Sequence, residues 1–206
     1  MKKAFLIILF FASLVACKSK KGIPDVSDIK VEIKIERFEK EFFEIDSNNV
    51  NQGLNQLSQK FPLLSSIFLQ NILGLDSTIV VPGVKRFLHL NKSINDTVAI
   101  VFKNIDGLKK DFQKAFQFVK YYFPAYKVPV ITTVVGPIDA LAQTSGGYTP
   151  DFLGPDFLGI SLQFYLGKNY SVYKDGFFIE NIAPEYRSRR FSKEYIIADA
   201  MQLVVD

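Results

Sequence analysis

One cysteine and one histidine among 206 residues leave little room for metal, redox or nucleophilic chemistry. With Cys17 alone, no internal disulfide can form, so the fold must rest on its apolar core. With His89 alone, a site built from several imidazoles is excluded, and the chain dictates neither a Ser-His-Asp triad nor a Cys-His pair. His89 lies between Leu88 and Leu90 with no carboxylate pattern beside it, which reads as a helix-face residue rather than a ligand. Neither G-x-G-x-x-G nor the P-loop lysine pattern occurs, so Ser145-Gly146-Gly147-Tyr148 and Gly154-Pro155-Asp156 read as turns rather than phosphate cradles. Asp151 and Asp156 lack the dense acidic spacing of an EF-hand and read as loop residues rather than a Ca²⁺ site.

What is present begins at the first residues. Lys2 and Lys3 precede an apolar run from Ala4 to Val15. As a helix that run is about 18 Å long, well short of the roughly 30 Å hydrocarbon core, so it targets the chain without spanning a bilayer. Leu14-Val15-Ala16-Cys17 fits a lipobox, in which residues 1–16 are cleaved and Cys17 becomes a lipidated first residue. Several acyl chains anchor stably where one would be reversible, and acylation leaves no thiol for other chemistry. Loss of Lys2 and Lys3 takes the basic residues from 25 to 23 against 21 acids, a net charge of +2. So balanced a chain is a poor match for nucleic acid.

Residues 17–29, with Lys18, Lys20, Lys21, Gly22 and Pro24, read as a polar, turn-prone tether. Its lysines would add about 1 kcal/mol each at an anionic lipid surface. Residues 30–206 read as a single domain, since 48% hydrophobic composition with twenty Phe and nine Tyr supplies a sufficient core.

Val31 to Glu36 alternates apolar and charged residues and predicts a strand. A helix from Asn49 carries Leu54 and Leu57 and breaks at Phe61-Pro62; a second, with Leu64, Ile67, Phe68 and Ile72, ends at Gly74. A third follows Pro82-Gly83 with Val84, Phe87 and Leu88 on one face. The clearest runs from Leu108 to Phe123, where Phe112, Phe116 and Val119 recur at helical spacing before Pro124. Val128 to Val135 is β-branched and predicts a buried strand, with Leu158 to Leu166 pairing nearby. Ser192 to Val205 reads as an amphipathic helix that Ser192 caps. Ile196, Ala200 and Leu203 lie on one stripe, with Ile197, Met201 and Val204 beside it. The fold class is therefore α+β: a helix-rich first half, then a small sheet and a helix.

Tyr186, Arg187, Arg189, Arg190 and Lys193 form the one notable basic cluster. Guanidinium forks beside a tyrosine suit a partner's carboxylates or phosphates. Glu185 and Glu194 are close enough in sequence to neutralise them, and that reading is weighted roughly three to one over a binding site.

Three stretches, Gly159-Ile160-Ser161-Leu162-Gln163-Phe164-Tyr165-Leu166-Gly167-Lys168-Asn169-Tyr170, Pro184-Glu185-Tyr186-Arg187 and Arg190 to Asp199, resemble the GldB family of gliding-motility lipoproteins, and the lipobox and Glu36-Arg37-Phe38 agree. The resemblance implies a Bacteroidetes envelope lipoprotein tied to gliding and type IX secretion, with no reaction attached. Lys18 is not the Asp of an inner-membrane retention signal, and no acidic run follows Cys17 to mark surface export. The expected location is therefore periplasm-facing, with the outer membrane favoured over the inner. The family also resembles, distantly, zinc proteases with an H-E-x-x-H helix, making the expected fold a degenerate zincin-like one. The comparable stretch is Lys193-Glu194-Tyr195-Ile196-Ile197, where Lys193 and Ile197 replace both ligands. Glu194 keeps the position of the general base, yet a lysine repels a divalent ion, and an acid in a first helical turn also suits the dipole.

GldB-like chains continue beyond Asp206, and the final helix lacks a cap, so a reading frame truncated at the C-terminus is expected, leaving Ile196 and Leu203 without covering partners. The leading expectation is a non-enzymatic, lipid-anchored component of the gliding and secretion apparatus, without catalytic residues, cofactor or metal, that acts on other envelope proteins. The alternatives are an envelope hydrolase, or a lipoprotein holding an apolar or glycan ligand around Phe164 and Tyr165. Aromatics at a period of two are more often core, which places the ligand reading last.

Overall fold

The computed structural model describes residues 22–144 and 147–205; the signal segment, Cys17 with the start of the tether, and Ser145-Gly146 lie outside the described residues. Strand β1 (Ile35–Arg37) runs straight into helix α1 (Phe38–Phe43). Phe38 and Phe42, one turn apart, bury the inner face of α1. Helix α2 (Val50–Lys60) buries Val50, Leu54 and Leu57 at helical spacing and stops at Phe61, where Pro62 opens α3 (Pro62–Ser66). That helix widens into a π-helical stretch, Ile67–Ile72, and the segment ends at Gly74, whose φ of 64° lies in the left-handed region that glycine enters without strain.

Three longer helices follow: α4 (Val80–Leu90), α5 (Lys92–Val101) and α6 (Asp106–Tyr122). Helix α4 starts two residues before Pro82, because a proline near a helix start sacrifices no hydrogen bond. Strand β2 (Val130–Val134) comes next, then the β3 (Ala142–Thr144) and β4 (Gly147–Thr149) hairpin, β5 (Phe152–Leu153) and β6 (Phe157–Ser161). Short helices α7 (Gly176–Asn181) and α8 (Glu185–Ser188) lead to the last helix, α9 (Ile196–Val205).

The main sheet has four strands in the order β1-β2-β6-β5. Strand β2 is parallel to both β1 and β6, in register Ile35↔Ile131 and Val130↔Phe157, while β5 runs antiparallel to β6. Side chains alternate across a strand, so Ile131, Leu158 and Ile160 face one apolar cluster with Phe112 and Phe116 of α6 and Ile196 and Ala200 of α9. Val134 and Phe157 face the other, built on Phe38, Phe42, Phe68, Leu54 and Phe87. The sheet is thus covered on both faces. This is the α+β order expected from the sequence, a helix-rich first half preceding a small sheet.

Several expectations are corrected. The first strand pairs only over 35–37, although its alternation survives, with Ile33 buried and Glu32 and Lys34 exposed. The segment Leu158 to Leu166 is not one strand: pairing stops at Ser161, and Leu162–Phe164 forms a 3₁₀ turn that drives Leu162 and Phe164 into the core. Ile196 does not lack partners, since it is fully buried, and Leu203 packs on the same cluster. Helix α9 covers its own apolar stripe by packing against α6, β5 and β6. Ser192 occupies the N-cap position but makes no capping bond; its hydroxyl bonds the Glu194 carboxylate instead.

The domain also takes up part of the tether. Val26 is buried, and the Ile29 carbonyl accepts a 2.9 Å hydrogen bond from Gln117 Nε2 on α6.

Candidate functional site

Strand β6 and the turn after it bring together side chains far apart in sequence. The link from β4 to β5 delivers Asp151 beneath the end of β6, where the Ser161 N–H donates to Asp151 Oδ1 at 2.9 Å. The 3₁₀ turn then places the Tyr165 hydroxyl 2.7 Å from Asp151 Oδ2 and 3.4 Å from Asp199 Oδ2 on α9. Asp199 in turn accepts from Arg190 Nη2 at 2.8 Å, and Arg190 is exposed. A chain of polar groups therefore runs from a fully buried carboxylate, through a fully buried tyrosine, to the surface.

Burial dominates its electrostatics. It pushes the Asp151 carboxyl up to about 7, against the lowering effect of the Ser161 and Tyr165 hydrogen bonds, and the nearby Asp199 charge adds to the rise. Burial likewise lifts Asp199, opposed by the charges of Arg190 and Arg187. The Tyr165 hydroxyl is held well above the usual tyrosine range by burial and then by the two carboxylates.

Beside this chain lies an open groove of about 830 Å³, walled by the 166–170 loop and the 189–195 segment. The walls are stitched together, since the Gly167 N–H donates to the Phe191 carbonyl at 2.9 Å and Leu166 bridges Ser192 antiparallel. Gly167 has a φ of 104°, which only glycine adopts without strain. Lys168, Tyr170, Arg189, Glu194 and Tyr195 line the groove. The Glu194 carboxyl is held below its usual range, first by the Ser192 hydroxyl and further by Lys193 and Lys168.

The sequence-predicted basic cluster divides. Tyr186 is 72% exposed beside the groove segment, and Arg189 lines the groove while pairing with Glu185 at 3.6 Å. Arg187 and Arg190 both act on Asp199, and Arg190 also lies 5.1 Å from the Tyr195 ring centre. Lys193 sits over the Phe102 ring at 5.1 Å. Neutralisation thus comes from Glu185 as expected, but for Arg190 from Asp199 rather than Glu194. Of the positions compared with metal ligands, Lys193 presents a cation to an aromatic face and Ile197 packs in the apolar cluster, a donor set that does not fit zinc.

Asp151 and Asp156 both lie in loops, as expected, but Asp151 is fully buried as the most enclosed acid of the site, whereas Asp156 is exposed. Phe164 and Tyr165 are fully buried, with Phe164 edge-on to Phe191 at 5.3 Å, so neither offers a face to a ligand. His89 is exposed on the outer side of α4, and Cys17 lies outside the described residues.

Sequence reasoning missed Asp199 as a member of this polar chain. Its signal is a lone carboxylate inside the apolar run Ile196-Ile197-Ala198-Asp199-Ala200-Met201, which asks for a buried partner.

A family model described as gliding motility protein GldB matches residues 19–206. No curated protein and no solved structure matches the chain.

Proposed function

The chain belongs to the GldB family of gliding motility lipoproteins, and from that membership we propose that it is a non-enzymatic component of the gliding and type IX secretion apparatus. It is anchored through Cys17 in the cell envelope, facing the periplasm from the outer membrane, and acts by docking another envelope protein. The observation that carries this reading is the stitched groove between 166–170 and 189–195, lined by Lys168 and Arg189, with the exposed Tyr186 three residues before Arg189. Aromatic and arginine side chains on a fixed backbone are the usual anchors of protein contacts, because they bring large area and directed hydrogen bonds at little ordering cost. The lysine and isoleucine at 193 and 197 also favour a docking role over metal-assisted hydrolysis.

The test leaves the buried chain untouched. Arg189→Glu combined with Tyr186→Ala alters exposed side chains only, so the variant should melt like wild type and remain in the membrane fraction. It should lose gliding on a surface and the co-purification of envelope partners after crosslinking in cells. Full gliding with unchanged co-purification would overturn the docking role. Stoichiometric zinc with peptidase activity in the purified protein would overturn the non-enzymatic one.

A further inference from the structure

The end of α6 carries three consecutive aromatics that the fold does not cover. Tyr121, Tyr122 and Phe123 are 48%, 61% and 62% exposed, and the two tyrosine rings meet edge-on at 5.0 Å. They stand on a stiff turn. Lys120 Nζ donates to the carbonyls of Pro124 at 2.6 Å and Tyr126 at 3.1 Å, and the Tyr126 ring stacks on the buried Phe116 at 6.1 Å. Exposed aromatics on a fixed backbone mark a contact surface rather than incidental exposure.

Two observations say what that surface meets. The first is reach. Gln117 holds the Ile29 carbonyl, and Tyr121 lies one turn further along α6, about 6 Å away along the axis. The incoming chain is therefore pinned beside these aromatics. From Cys17 to the buried Val26 the chain extends to about 30 Å at most, which keeps this side of the domain near the lipid that carries it. The second is charge. Between Asp111 and Asp139 no acidic residue occurs, while the exposed Lys114 and Lys127 do, and the tether adds Lys18, Lys20 and Lys21 on the lipid side of Asp25 and Asp28. Tyrosine and phenylalanine flanked by lysine suit a bilayer interface, with rings among the headgroups and cations on lipid phosphates.

We propose that Tyr121, Tyr122 and Phe123 seat the domain on the surface of the membrane that anchors it, so that the tether and this aromatic knuckle together fix which face the domain turns away from the bilayer. The proposal rests on the lipid anchor at Cys17. Its partner is the headgroup layer of a phospholipid bilayer.

The chain contains no tryptophan, so a single introduced one reports without background. The lipidated full chain carrying Tyr122→Trp, or Tyr186→Trp as the comparison, is reconstituted into vesicles of phosphatidylethanolamine and phosphatidylglycerol containing lipids brominated near the headgroup end of their acyl chains. The expected result is a blue-shifted emission for Tyr122→Trp, quenched several-fold more than that of Tyr186→Trp. Phe123→Trp serves as a second reporter should Tyr122→Trp lower the melting temperature. Equal quenching at 122 and 186 would overturn the orientation, and no quenching at 122 or 123 in vesicle-bound protein would overturn the seating and point to a protein on this surface instead. Vesicles that float without the chain would overturn the anchor itself.

Discussion

A carboxylate enclosed as completely as Asp151 must lose either its charge or its isolation. Here it does some of each, keeping two hydrogen bonds while its proton affinity rises to about 7 from the ordinary 3.8. Between those two values the folded protein holds a proton on Asp151 that the unfolded chain has released. The contribution of Asp151 to stability therefore falls as pH rises from about 4 to about 7 and is level above that. Asp151→Asn keeps the shape, accepts from the Ser161 N–H through its carbonyl oxygen, and donates its amide to the Tyr165 oxygen, but cannot ionise. The variant should be more stable than wild type above pH 7, by on the order of 4 kcal/mol at most, and should lose much of the slope between pH 4 and 7. Glu39 and Asp199, also raised by burial, keep their share of that slope in both proteins. Melting temperature against pH for the two proteins, by circular dichroism, checks this; identical slopes would assign the pH response to other groups. The basic residues of this site were legible because charge is visible in sequence. The burial of Asp151 was not, because a loop acid between two glycine-rich turns carries no local sign that β6 and Tyr165 will enclose it.

Among the elements, α9 links the core to the polar chain, since it buries Ile196 and Ala200 against α6 and the sheet and carries Asp199 beside them, one turn on from Ile196. Ile196→Ala removes a fully buried side chain from a site closed on several sides and should cost about 2–5 kcal/mol, read as a fall in the urea midpoint with an unchanged slope. A cost well under 1 kcal/mol would mean that α9 is only loosely docked. Helices α2 and α6 were readable because their apolar residues recur at helical spacing over several turns. Helix α5 was missed, although Ile94, Val98 and Val101 keep that spacing, because Ser93, Asn95, Asp96 and Thr97 dilute the pattern. Helix α1 was missed because it is too short for a period to establish itself. The sheet order was not readable: β1 finds β2 across nearly the whole helical half of the chain, and a parallel pair leaves no hairpin signature.

For the whole molecule, position is what the chain contributes on the reading proposed here, since its groove and aromatic knuckle do useful work only at a bilayer. The domain encloses its own core on both faces of the sheet, so its folding does not require the membrane. Loss of the anchor should accordingly separate fold from function. In Cys17→Ser no thioether can form, and the lysines of the tether with three interfacial aromatics give only reversible, salt-sensitive attachment. The variant should move from the membrane pellet to the soluble fraction in high salt and should melt like the wild-type domain. It should fail to support gliding even at normal abundance. Fractionation at low and high salt, a melting curve and a gliding assay on the same strain measure all three. Retention in the pellet at high salt with acylation unchanged would remove Cys17 as the anchor. Release with gliding intact would show that the domain finds its partners by diffusion, and would relocate the function from the membrane surface to the groove alone.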